Sequence, residues 1–154
     1  MGVIRPLTAG LLVSALAAAS ARWARQSLAA ITVSGHSMSP TLTSGDRVLV
    51  RLGTRGLRRG RIVVVARPDS DEGWAGAEPV GQRDISARRW YIKRATAVAG
   101  DAYPFGVGRT DLVPPGHIAL IGDNPVSVDS KQYGPCPEHQ VLGIMLLRLR
   151  RGTG

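Results

Sequence analysis

A chain of 154 residues is long enough for one domain with its own core, and its single cysteine, Cys136, excludes an internal disulfide and gives no zinc pattern. The formal net charge of +9 suits an anionic partner, yet the arginines are scattered, as in "RGLRRGR" and "ARRWYIKR", with no zinc-finger spacing, no aromatic RNA-binding strand and no helix-turn-helix. Nucleic acid is therefore not the expected partner; an anionic lipid surface or a plain solvated basic face uses the charge better.

Pro6 to Ala21 carries no charge. As a helix it would reach about 24 Å, short of a ~30 Å hydrocarbon core, with Arg22 able to snorkel and Trp23 suited to the interface. An uncleaved anchor is preferred. A cleaved signal peptide is the rival, since "AAASARWA" offers small residues at suitable spacing. Arg5 on one side and Arg22 and Arg25 on the other nearly balance, so charge does not set the orientation.

Beyond this segment, 19 Gly and 10 Pro punctuate a series of short apolar runs. Ser27 to Val33 rises into "SGHSMSPTL". "GDRVLVRL" alternates as a strand does, and "GTRGLRRGR" is a turn. "IVVVA" is a continuous β-branched run, consistent with a buried strand. Residues 67–87 are polar with Gly and Pro and read as an exposed loop. "RRWYIKRATAVAGD" and "GHIALIGDN" are further strands, the second ending in a tight turn. "QVLGIMLLRLR" closes the series, its apolar stretch Val141 to Leu147 being far too short to cross a membrane. No internal repeat is visible. The expected fold is mainly β, a compact domain of short antiparallel strands preceded by one N-terminal hydrophobic helix. The expected division is 1–26 for anchor and flank, 27–150 for the β domain and 151–154 for a tail.

Ser37 becomes a nucleophile only with a base beside it. His36 is adjacent, but neighbours in extended chain point to opposite faces. His117, after "PPG", and His139, in "PEHQ", read as turn residues near a surface. Cys136, between two prolines, reads as an ordinary turn residue rather than a second nucleophile. Lys93 is the better candidate base. Strand alternation places it with Tyr91, Ala95 and Ala97 on a small, mostly apolar face, where desolvation would favour the neutral amine. The plainer alternative is a lysine snorkelling from a half-buried strand. In "GDNPVSVDSKQYG", residues 122–134, the residue types suit a hydrogen-bonded turn. Either Ser127 or Ser130 there could orient a neutral lysine.

In this order the segments resemble the type I signal peptidase family of serine proteases, which use a Ser–Lys dyad. "SGHSMSPTL" is similar to the family's nucleophile box, "GDRVLV" to its second box, "YIKRATAVAGD" to its lysine box and "GDNPVSVDSKQYGP" to its last. The resemblance implies the signal-peptidase β-fold, Ser37 as nucleophile, Lys93 as general base and Ser127 as the serine that orients it. It implies that Asp123 and Asp129 brace the site, with Arg94 as their partner. Met38, Leu42, Tyr91 and Ile92 would wall small substrate pockets and select Ala-X-Ala sequences. Gly35 stands where some members place an oxyanion-hole serine, so the Ser37 N–H would carry more of that role. Lys131 replaces the usual arginine, and the last box is one residue shorter than in many bacterial enzymes. The loop over 67–87 is too short for the second domain of some members.

No metal or cofactor is implied. The implied partners are precursor proteins with signal or leader peptides and a lipid membrane, with a second protease subunit left open. The implied location is a single-pass attachment to the cell membrane, the catalytic domain facing away from the cytoplasm. Small members in mitochondria and actinobacteria are also similar, and suggest a protease dedicated to one precursor, of the nickel superoxide dismutase type. The remaining rivals are a self-cleaving regulator of the SOS-repressor type and an inactive, anchored scaffold.

Overall fold

The computed structural model describes residues 14–19, 22, 27–77, 80, 85, 90–105 and 111–149. Among these residues seven strands follow one another: β1 Leu28–Thr32, β2 Arg47–Leu52, β3 Ile62–Val65, β4 Tyr91–Val98, β5 His117–Ile121, β6 Cys136–Pro137 and β7 Val141–Leu149. One short helix, α1 Ser130–Tyr133, and a 3-10 turn at Glu138–Gln140 lie between β5 and β7. The strands form one antiparallel sheet in the order β1-β2-β7-β3-β4-β5-β6. The mainly β expectation holds, and each apolar run becomes a strand.

Both faces of the central strands are buried. Val48, Val50, Val64, Ile92 and Leu142 pack on one side with Ile31, Val33, Met38 and Leu42. Val63, Val65, Ala95, Ile118, Leu120 and Ile144 pack on the other with Trp74 and Cys136. Alternate residues of β3 thus face two different cores, which is why "IVVV" is apolar throughout. Bulges at Leu49/Val50, Val64/Val65 and Ala95/Ala97 interrupt the ladders. At the centre, a side chain on Gly143 of β7 would meet the Arg51 carbonyl oxygen at 2.3 Å and Val50 at 2.7 Å, so only glycine fits the crossing with β2.

Two expectations need correction. Cys136 is not in a turn: it forms β6 with Pro137, pairs with Ile118 and is fully buried. Burial pushes its thiol pKa well up, so it is inert as a nucleophile. The loop after β3 is not wholly exposed either. Asp69 and Gly73 bridge, and Trp74 folds under, donating from Nε1 to Gly134 O at 3.2 Å and meeting the Tyr133 ring edge-on. One tryptophan in a polar stretch carries no periodicity, so only packing reveals its place.

Residues 14–19 are helical; the rest of Pro6 to Ala21, and the tail over 151–154, fall outside the described residues. Among the described residues no helix is long and apolar enough to cross a membrane.

Candidate active site

The loop between β1 and β2 carries Ser37. Its base is closed by Val33 N–H donating to Asp46 O at 2.8 Å and Gly45 N–H to Val33 O at 2.9 Å. The buried Asp46 carboxylate accepts from Thr43 N–H at 2.7 Å and from Arg148 at 2.7 Å. Its pKa is held low, chiefly by the Thr43 N–H. Within the loop Ser39 N–H donates to His36 O and Leu42 N–H to Met38 O, which closes two overlapping turns. Met38 and Leu42 belong to one core cluster and are each only 1% exposed. The Ser39–Pro40 peptide is cis. Half-buried Ser37 lines a cleft of about 300 Å³.

Lys93 on β4 lines the same cleft. It is 3% exposed, which rules out the snorkelling alternative. Its Nζ donates to Ser127 Oγ at 2.5 Å, and lies 5.1 Å from the centroid of the Tyr91 ring. Burial lowers its pKa to about 8; the Asp129 carboxylate opposes this and the Lys131 charge adds to it. The amine is therefore a base whose neutral form is accessible in mildly alkaline solution.

The turn after β5 joins the two halves. Asn124 N–H donates to Ser37 O at 3.0 Å and its Nδ2 to His36 O at 3.1 Å. Asn124 Oδ1 accepts from Val126 N–H, and its main-chain oxygen from Ser127 N–H, so this one residue fixes the Ser37 loop and the serine facing Lys93. Gly122 N–H donates to Asp129 Oδ2 at 3.0 Å. Asp129 also caps α1 by accepting from Lys131 N–H, with Gln132 Oε1 accepting from Asp129 N–H in return. Ser130 Oγ accepts from Leu120 N–H at 2.9 Å, so Ser130 is committed to β5 and the lysine's partner is Ser127. Arg94, next to Lys93, forms a bidentate pair with Asp123, Nε to Oδ1 at 2.8 Å and Nη2 to Oδ2 at 2.6 Å. Arg94 holds the Asp123 pKa low, with a smaller contribution from Thr41 of the Ser37 loop. Arg94 Nη1 also donates to Gly60 O, tying down the arginine-rich turn.

Of the expected pocket walls, Met38, Tyr91 and Ile92 line the cleft, while Leu42 lies in the core cluster that contains Met38 and Ile92. His36 lines the cleft, but among the described residues its ring makes no hydrogen bond to Ser37. His117 donates from its ring to Pro115 O, His139 is exposed, and neither lines the cleft. Gly35 lines the cleft with φ +85°, a conformation that favours glycine. A serine there would need a different backbone, so this position is a turn glycine rather than a site lacking only a hydroxyl. A larger hollow of about 540 Å³, walled by Tyr103, Phe105 and Leu112, contains none of these residues. Among the described residues no cluster of three or more His, Cys, Asp or Glu could hold a metal. Asn124 and the cleft-lining Arg67 and Val128 escaped the sequence reading; the "GDN" turn was visible, but not what it reaches 88 residues away.

A family model described as signal peptidase, peptidase S26, matches residues 7–104. The chain is 35% identical to the mitochondrial ATP-independent inner membrane protease subunit 1a of Arabidopsis thaliana, covering 76% of this chain and 67% of that protein. It is 26% identical to signal peptidase IB of Staphylococcus aureus, covering 76% of this chain and 75% of that protein. The family match takes in both the loop that carries Ser37 and the strand that carries Lys93, and stops before the turn that joins them. On that match this chain belongs to the signal peptidases of peptidase family S26, a family of serine peptidases.

Proposed function

We propose that the chain is an endopeptidase that removes N-terminal signal or leader peptides, with Ser37 as nucleophile and Lys93 as its base. The observation that carries this is the buried Lys93 amine, its pKa lowered to about 8 and aimed by Ser127, in the cleft that Ser37 lines. Neutral Lys93 takes the Ser37 proton as Oγ attacks the peptide carbonyl. Among the described residues no acceptor takes the Ser37 N–H, which leaves it to receive the oxyanion. The ammonium then protonates the leaving amine, and a water deprotonated by Lys93 releases the acyl group. Asp123, Arg94 and Asp129 act on this through the turn that holds Ser127.

Met38, Tyr91 and Ile92 line the narrow cleft of about 300 Å³, which supports cleavage after Ala-X-Ala, with Leu42 in the core cluster that contains Met38 and Ile92. Membrane attachment is supported by the uncharged Pro6 to Ala21 segment and by the net charge. A relative named as an inner membrane protease points the same way. Attachment would raise the effective concentration of membrane-bound precursors, with the catalytic domain on the side away from the cytoplasm.

The purified full chain should cut an Ala-X-Ala leader peptide after the second alanine, as read by mass spectrometry of the products. Ser37→Ala should not, and equal cutting by that variant would remove Ser37 from the reaction. Comparing N-termini of exported proteins with and without the chain then separates a general enzyme, which leaves many leaders uncut when absent, from a dedicated one, which leaves a single precursor. Asn124→Ala should lower kcat about tenfold with KM little changed, since one hydrogen bond positioning the Ser37 loop is lost.

A further inference from the structure

Arg67, two residues past β3, lines the cleft with Ser37 and Lys93. Its guanidinium carbon lies 6.0 Å from the centroid of the Tyr91 ring, the same ring that lies 5.1 Å from the Lys93 amine. Among the described residues the ionisable side chains lining the cleft are His36, Arg67, Tyr91 and Lys93, with no Asp or Glu. The nearby carboxylates are already engaged, Asp123 by Arg94 and Asp129 by the N–H groups of Gly122 and Lys131. Among the described residues Arg67 has no carboxylate partner. A planar guanidinium laid on an aromatic ring, without a counter-charge, is a ready receptor for a carboxylate.

We propose that Arg67 is a specificity residue that selects a precursor with an Asp or Glu side chain at the second residue before the scissile bond, the X of Ala-X-Ala, or at the second or third residue after it. This rests on the cleft being the peptide cleft. Tyr91 and Lys93 are two residues apart on β4, about 7 Å along the strand, and an extended substrate beside it advances at the same rise. A side chain level with Tyr91 and Arg67 is therefore two or three positions from the carbonyl that Ser37 attacks. The chain's net charge of +9 adds a long-range pull on acidic substrates.

The test uses the full chain in zwitterionic detergent with Ala-X-Ala leader peptides that differ only by Glu or Gln at X or at the second or third position after the cut. Glu at one of these positions should raise kcat/KM about threefold to tenfold, mainly through KM, and the gain should fade at high salt. Arg67→Gln should bring the Glu/Gln ratio to about one, and Arg67→Glu should invert it in favour of a Lys-bearing peptide. Equal rates for Glu and Gln at every position would overturn the selection and leave the endopeptidase reading standing. If no peptide is cut, binding of the same peptides to the Ser37→Ala chain decides. A Glu preference that depends on Arg67 upholds the selection without the cleavage chemistry, whereas equal binding overturns both. An Arg67 effect seen only with anionic lipid vesicles, and indifferent to peptide charge, would assign the residue to headgroups and overturn the proposal.

Discussion

Lys93→Ala should leave cleavage at least about a thousandfold below the native rate, because among the described residues no other buried base lines the cleft that Ser37 lines. Lys93→Arg should be as inactive. A guanidinium can keep the charge and reach Ser127, but it does not become neutral. His36→Ala should keep most of the activity, which separates the distant lysine from the adjacent histidine. The pH dependence follows from the same amine. With its pKa lowered to about 8, Lys93 is charged below that value and neutral above it. The kcat/KM of the native chain therefore rises with pH through about 8 and levels off beyond. Lys131→Met removes a positive charge that helps lower the Lys93 pKa, so the rising limb moves to higher pH. A purely structural role for Lys131 would change the height of the profile and leave its position alone. Full activity in Lys93→Ala would end the dyad assignment.

Gly122→Ala should be nearly as damaging, although Gly122 carries no chemistry. A methyl group there would lie 2.2 Å from Ser127 Oγ, 2.4 Å from Ser127 Cβ and 2.4 Å from Ser37 O. It would drive apart the lysine's partner and the nucleophile's backbone. A displacement of about 1 Å at reacting groups costs on the order of a hundredfold in rate. We therefore expect kcat/KM to fall about a hundredfold or more, with the thermal midpoint lowered by several degrees from overpacking. A variant of native activity would mean that the turn shifts as a body without disturbing either serine.

Much of this site is readable along the chain because its chemistry is local to each segment. Ser37 next to a buried methionine, Lys93 in an apolar strand and a serine in a polar turn each stand out by residue type. What joins them does not stand out. Asn124 and Gly122 suit any tight turn, so their reach to the Ser37 loop is not visible beside the plain turn reading. Ser127 and Ser130 are indistinguishable by composition, and only the hydrogen bonds to Lys93 and Leu120 part them. The strands follow from their apolar runs, but their order does not. β7 lies between β2 and β3, and pairing across such distances leaves no periodic trace. Trp74 and Cys136 show the same limit, since each is a single residue whose burial depends on elements far along the chain.

The place of β7 has a consequence for when the protein can act. The strands β1 and β2 hold the nucleophile's loop, and β3, β4 and β5 hold the lysine and the turn that aims it. Among the described residues these two groups meet in the sheet only through β7, the last of the seven strands in chain order. A nascent chain thus carries both reacting groups long before it has the strand that holds them together.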